Sequence, residues 1–122
     1  MRFNSIDQIK IVYMGTPSIS SKVLEGLINN NFNIVALVTN EDKAVGRKKI
    51  LEPTPCKKVA LEHGIKVFQP HRIKDDYSFL KEMDFDLILT MAYGQIVPKV
   101  VLECPKIGCL NLHGSILPKY RG

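Results

Sequence analysis

Apolar residues along this chain come in short blocks separated by polar, turn-forming segments. Lys10 to Met14 (Lys-Ile-Val-Tyr-Met) is one such block and ends at Gly15, where Thr16-Pro17 reads as a helix N-cap followed by proline at the first helical position. Ile19, Val23, Leu24, Leu27 and Ile28 then recur at three- and four-residue spacing, which predicts a helix with one buried stripe, closed by Asn29-Asn30-Asn31. Phe32 to Thr39 is continuously apolar rather than alternating, the pattern of a strand covered on both faces. The opening is therefore a β-α-β unit, and such a crossover is right-handed.

Asn40 to Glu52 is charged, contains Gly46 and shows no period, so it reads as an exposed loop, long for a strand-to-helix connection. Thr54-Pro55 repeats the cap-and-proline signal, Cys56 to His63 makes a short helix, and Gly64 ends it. Ile65 to Phe68 is the third strand and stops before Pro70. Asp75 and Asp76 suit a helix start, with Tyr77, Phe79, Leu80 and Met83 on its apolar side. Asp86 to Met91 is the fourth strand, Ala92 to Ile96 a turn, and Val97-Pro98 the opening of a short helix through Glu103. A fifth strand is expected over Cys109 to His113. Strands alternating with helices in this way predict an α/β, Rossmann-like domain with a mostly parallel sheet and helices on both faces. In such sheets ligands bind at the carboxyl ends of the strands, where the turns after the first, fourth and fifth strands meet.

A chain of 122 residues suits one domain that buries roughly 65% of its unfolded surface. Hydrophobic residues at 45% and charged residues at 24% exclude a disordered composition. No apolar run reaches the length of a membrane span, and Met1 to Asp7 lacks a signal-peptide core, so a cytoplasmic location without a membrane partner is expected. Cys56, Cys104 and Cys109 are odd in number and lack Cys-x-x-Cys spacing, which argues against a disulfide framework or a zinc site and for reduced, mostly buried thiols. The net charge of +5 is concentrated: Lys43, Arg47, Lys48, Lys49, Lys57 and Lys58 face only Glu41, Asp42 and Glu52 within that stretch. A polyanion such as RNA and a merely solvated loop both account for it.

The candidate chemistry narrows from there. Gly15 stands alone before Thr16-Pro17, which does not make the multi-glycine turn of a dinucleotide site, and no Gly-x-x-x-x-Gly-Lys-Ser/Thr segment is present. In Asn111-Leu112-His113 a strand's period of two puts Asn111 and His113 on one face. A carboxamide that donates to a developing oxyanion and an imidazole that moves a proton suit acyl transfer, while a polar strand end with a surface histidine is the plainer alternative. His63 and His71 read as surface residues.

Met14-Gly15-Thr16-Pro17, Gly46-Arg47-Lys48-Lys49, Ala92-Tyr93-Gly94-Gln95-Ile96-Val97-Pro98 and Asn111 to Gly122 (Asn-Leu-His-Gly-Ser-Ile-Leu-Pro-Lys-Tyr-Arg-Gly) resemble, in order and approximate spacing, the landmarks of the methionyl-tRNA formyltransferase family. The resemblance implies the formyltransferase fold, with 10-formyltetrahydrofolate as formyl donor and initiator methionyl-tRNA as acceptor. It implies that Asn111 stabilises the oxyanion of the tetrahedral intermediate and that His113 assists with the proton. It also implies that Ser115, Ile116, Leu117 and Pro118 contact folate, with Met91, Ala92, Tyr93, Gly94 and Ile96 lining the pterin side largely through backbone groups. Lys43, Arg47, Lys48 and Lys49 match a tRNA-facing insertion. Two positions depart from the usual pattern: Ile116 stands where leucine is common, and Lys48 where a glycine often follows the loop arginine.

Aminosugar formyltransferases share the Asn111-to-Gly122 pattern, so a related amine acceptor is the second reading and a non-catalytic α/β domain the third. Family members extend well over a hundred residues further, supplying an aspartate for the histidine, further strands and a C-terminal tRNA-binding domain. Residues 1–122 are accordingly expected to be the N-terminal part of the catalytic domain of a monomeric enzyme, with negligible transfer alone and with the fifth strand as an edge prone to self-association.

Overall fold

A computed structural model describes residues 5–112. After a 3-10 turn at Ile6–Gln8 the elements run β1 (Lys10–Gly15), α1 (Ser18–Asn29), β2 (Asn33–Val38), β3 (Lys43–Val45), β4 (Ile50–Glu52), α2 (Pro55–Glu62), β5 (Lys66–Phe68), α3 (Ser78–Lys81), β6 (Leu87–Met91), α4 (Lys99–Leu102) and β7 (Gly108–Asn111). The main sheet has five strands in the order β5-β2-β1-β6-β7, and every neighbouring pair is parallel. The chain builds outward from β1 to β5, then crosses back to β6 on the other side of β1. Strand order thus reverses between β1 and β6, which places a switch point at their carboxyl ends.

The central strands are apolar on both sides because both sides are covered. Ile11 and Tyr13 face Leu24 of α1, Cys56 and Ala60 of α2, and Leu37, Leu89 and Met91 of the sheet. Val12 and Met14 face the opposite layer, with Ala36, Val38, Ile73, Leu80, Phe85, Ile88, Tyr93 and Val101. Burial of Tyr13 pushes its phenol up to about 12. Its hydroxyl donates to Ser20 O at 2.9 Å and lies 3.0 Å from Ser20 Oγ, which ties α1 to β1. At the opposite end of the sheet, Asp86 Oδ2 accepts from Lys10 N at 2.9 Å, and the Asp84 carboxylate bridges Lys10 and Lys106. Those two lysines hold the Asp84 carboxyl down to about 2, chiefly through hydrogen bonds.

Four local expectations change. Thr16 does not cap α1: the N-cap is Pro17 with no side-chain cap bond, because Thr16 Oγ1 donates instead to Tyr93 O at 2.6 Å. Of the predicted α1 stripe, Val23, Leu24, Leu27 and Ile28 pack on the core, but Ile19 is 43% exposed and Ser20 and Ser21 are buried in its place. The small Ser20 lets the helix approach β1 closely, and Ile19 is rotated off that contact line. The stretch from Asn40 to Glu52 is not irregular, since β3 and β4 form an antiparallel hairpin with Val45 opposite Ile50. Its connection, residues 46–49, puts positive φ on Gly46 (73°) and Lys49 (53°) and not on Lys48, so lysine at position 48 meets no strain of that kind. Of the cysteines only Cys56 is fully buried, while Cys104 and Cys109 are half-buried. The cap on α2 is as expected, with Thr54 Oγ1 accepting from Lys57 N at 3.1 Å.

Candidate functional site

Parallel pairing of β6 with β7 sets Thr90 opposite Asn111. With a side-chain period of two, Ile88 and Thr90 point to the α3/α4 layer, and so do Cys109 and Asn111 of the neighbouring strand. Beyond the strand ends these residues open onto a cleft of about 430 Å³. Thr90, Cys109 and Asn111 form one wall, Ala92, Tyr93 and Gln95 another, and Val97 and Leu102 close the side toward α4. Thr90 Oγ1 donates to Asn111 Oδ1 at 3.0 Å, which occupies the carbonyl end of the carboxamide and leaves Nδ2 as the donor for an incoming oxygen. The ladder continues one residue past β7, where Leu112 N donates to Thr90 O at 2.6 Å.

The 92–96 loop has an uncommon backbone and many ties. Ala92 (φ 51°) and Gly94 (φ 100°) are both in the left-handed region. A side chain at Gly94 would be strained by that φ and would put a Cβ 2.5 Å from Asn40 Nδ2. The carbonyl between these two residues, Tyr93 O, accepts from Thr16 Oγ1 at 2.6 Å and Asn40 Nδ2 at 3.1 Å. The Tyr93 side chain is 4% exposed, and its hydroxyl has no hydrogen-bond partner among the described residues. Burial raises its pKa to about 12, so it is a neutral donor. An orphaned buried hydroxyl beside a cleft of ligand size is what a site for a small polar molecule would show.

The remaining predicted positions divide. Met91 packs in the α1/α2 layer and Ile96 is 91% exposed beside His71, Arg72 and Lys74, so neither side chain lines the cleft. His113, Ser115, Ile116, Leu117 and Pro118 lie outside the described residues. Lys43, Arg47, Lys48 and Lys49 are all exposed on the hairpin and make no ion pair among the described residues. Two acidic neighbours are engaged elsewhere, Asp42 with Lys57 at 3.1 Å and Glu41 with His71 at 2.9 Å, while Glu52 stands opposite Lys43 in the hairpin register without forming an ion pair among the described residues. A hydrogen bond from Gln69, then that from Lys57, lowers the Asp42 carboxyl pKa. The hairpin's positive charge is therefore left facing solvent.

Gln95 and Val97 of the 92–98 landmark also line the cleft, whereas Thr90, Leu102 and Cys109 are cleft residues that the sequence did not single out, and Thr90 becomes one only through its register with Asn111. Burial raises the Cys109 thiol, so it sits in the cleft as a thiol rather than a thiolate nucleophile. Among the described residues the one grouping of possible metal ligands is Glu25, Glu62 and His63, all exposed and none in the cleft.

Residues 8–122 match the family model described as formyl transferase. The chain belongs to the formyl transferase family. Methionyl-tRNA formyltransferases of Bacillus thuringiensis (strain Al Hakam), Bacillus cereus (strain AH187) and Bacillus anthracis (strain CDC 684 / NRRL 3495) are each 52% identical to it over 116 residues. That alignment covers 93% of this chain and 37% of each relative, so this formyl transferase sequence spans little more than a third of their length. The matched region includes both the cleft and the hairpin. No helix among the described residues is long and apolar enough to cross a membrane.

Proposed function

We propose that this chain carries the formyl-donor site of an enzyme that transfers a formyl group from 10-formyltetrahydrofolate to the amino group of initiator methionyl-tRNA, a cytoplasmic step of translation initiation. The observation that carries the reading is the Asn111 carboxamide, held through Oδ1 by Thr90 at the mouth of the cleft with Nδ2 left to donate. A fixed donor aimed at an oxygen that gains negative charge contributes on the order of 10²- to 10³-fold in rate. The folate supplies the formyl group. This chain's residues hold it, with the left-handed 92–96 loop presenting peptide groups and Tyr93 Oη as an unspent donor. His113, two residues past Asn111, is the proton-handling partner in this reading, and Ser115 to Pro118 complete the folate contacts. Lys43, Arg47, Lys48 and Lys49 are the phosphate-facing group for tRNA, and their exposure without an ion pair among the described residues supports that role.

The test is a titration of 5-formyltetrahydrofolate, followed by fluorescence or calorimetry, against the chain and its Asn111→Ala variant. Saturable binding that weakens about fivefold in the variant is expected for loss of one hydrogen bond. Absence of binding by the unmodified chain would overturn the reading. In longer family chains the same substitution should lower kcat far more than it raises KM.

A further inference from the structure

Asn40 is the second residue past the end of β2, and it sits where three connections meet. Its Nδ2 donates to Tyr93 O at 3.1 Å, its Oδ1 accepts from Gln95 Nε2 at 2.8 Å, and its backbone O accepts from Gln69 Nε2 at 3.1 Å. Its backbone N donates to Thr16 Oγ1 at 3.3 Å, and that hydroxyl in turn donates to Tyr93 O. Gln95 extends the web, since Oε1 accepts from Ile73 N at 2.7 Å and Nε2 also reaches Pro70 O and His71 O. On the other side, Asp42 immediately precedes β3 and is held by Gln69 at 2.7 Å and by Lys57. The root of the basic hairpin and the left-handed loop of the cleft are thus two ends of one hydrogen-bonded unit joined at Asn40, whose carboxamide holds the loop and whose backbone carbonyl shares Gln69 Nε2 with Asp42. The hairpin itself has exposed side chains throughout and pairs with no strand of the main sheet. Few contacts restrain it apart from its root, so its order depends on whatever fixes that root.

We propose that Asn40 is a positioning residue that couples the two sites, so that a folate held in the cleft also orders the hairpin. This rests on the reading of the cleft as a folate site. Reciprocity then requires that a polyanion bound to the hairpin tighten folate binding by the same factor. Neither ligand needs to touch Asn40, because fixing the Tyr93 carbonyl restrains its carboxamide and fixing Asp42 restrains its backbone carbonyl through Gln69, and both narrow the freedom of one residue. Asn40→Asp is isosteric and keeps an acceptor for Gln95, but it turns the donor facing Tyr93 O into a second oxygen.

The experiment is hydrogen–deuterium exchange of the chain during a titration with 5-formyltetrahydrofolate. In the unmodified chain, amides of residues 92–96 and of residues 43–52 are expected to gain protection with a common midpoint. In Asn40→Asp the midpoint should rise about tenfold, and the hairpin amides should stay unprotected even when the 92–96 amides are saturated. Gln95→Glu, which removes the donor to Asn40 Oδ1 from the other side, should uncouple the same two segments. A residue with a merely structural role would instead speed exchange throughout, α1 and β1 included. Protection of 92–96 with no change in the unmodified hairpin would overturn the coupling while leaving the folate site standing, as would full coupling in both variants. No protection anywhere would overturn the folate reading and the coupling with it.

Discussion

Two glycine-to-alanine substitutions, at Gly15 and Gly26, should move stability in opposite directions. Gly15 ends β1 and pairs in register with Met91. A Cβ at Gly15 would lie 2.0 Å from Ser20 Oγ, 2.9 Å from Tyr13 Cε2 and 3.0 Å from Met91 O. The serine hydroxyl cannot swing away freely, since it lies 3.0 Å from Tyr13 Oη in a pair that is fully buried. Displacing it costs about 1 kcal/mol for the disturbed hydrogen bond. The contacts with the Tyr13 ring and the Met91 carbonyl add overpacking of about 1–3 kcal/mol. Alanine recovers about 0.4–1 kcal/mol by restricting the unfolded chain. The net loss for Gly15→Ala is about 1–3 kcal/mol, or roughly 4–12 °C in Tm for a domain of this size. A Cβ at Gly26, in the middle of α1, meets nothing within 4 Å. Gly26→Ala should therefore stabilise by about 0.5–1 kcal/mol through helix propensity alone. Urea unfolding followed by far-ultraviolet circular dichroism reads both, with shifted midpoints and unchanged m-values. A Gly15→Ala midpoint at or above that of the unmodified chain would refute the packing argument at the switch point.

Other consequences are equally open to measurement. Thr54→Val removes the oxygen that accepts from Lys57 N and the 2.8 Å bond to the buried Thr39 hydroxyl, so a loss of about 2–3 kcal/mol is expected in thermal unfolding. A loss under 0.5 kcal/mol would mean that neither bond matters. The depressed Asp84 carboxyl favours the folded state above the ordinary carboxylate range, and its contribution disappears as pH falls from about 4 toward 2. Asp84→Asn should flatten the acid limb of the stability–pH curve in that window, and an unaltered limb would count against the Lys10–Asp84–Lys106 bridge. On the proposed role of the basic hairpin, replacing Lys43, Arg47, Lys48 and Lys49 with alanine should lower the salt slope of tRNA binding by up to about 3.6, with each lost phosphate contact contributing about 0.7–0.9. An unchanged slope would place the RNA surface elsewhere.

Much of the fold was legible because local physics and tertiary packing agree there. The continuous apolar blocks at Lys10–Gly15 and Asn33–Val38 are strands covered on both faces, and Thr54-Pro55 caps α2 as its residues dictate. Asn111 fell at the carboxyl end of a strand in the main sheet, and the 92–96 segment fell beside it. The misreadings share a cause. Thr16 looks like a cap because a cap bond is local, yet its hydroxyl goes to Tyr93 O, 77 residues away. Val45, Ile50 and Leu51 look like stray apolar residues in a charged loop until the turn at 46–49 pairs their strands.

Periodicity and capping act over a few residues, so the α/β alternation and the approximate extent of most elements were already written in the chain. Which residues meet was decided only by the tertiary structure. Thr90 becomes the partner of Asn111 through the β6–β7 register, and Asn40 reaches Tyr93 and Gln95 because strand order reverses beside β1. A register or a switch point depends on contacts across dozens of residues, and no local pattern in the chain encodes it.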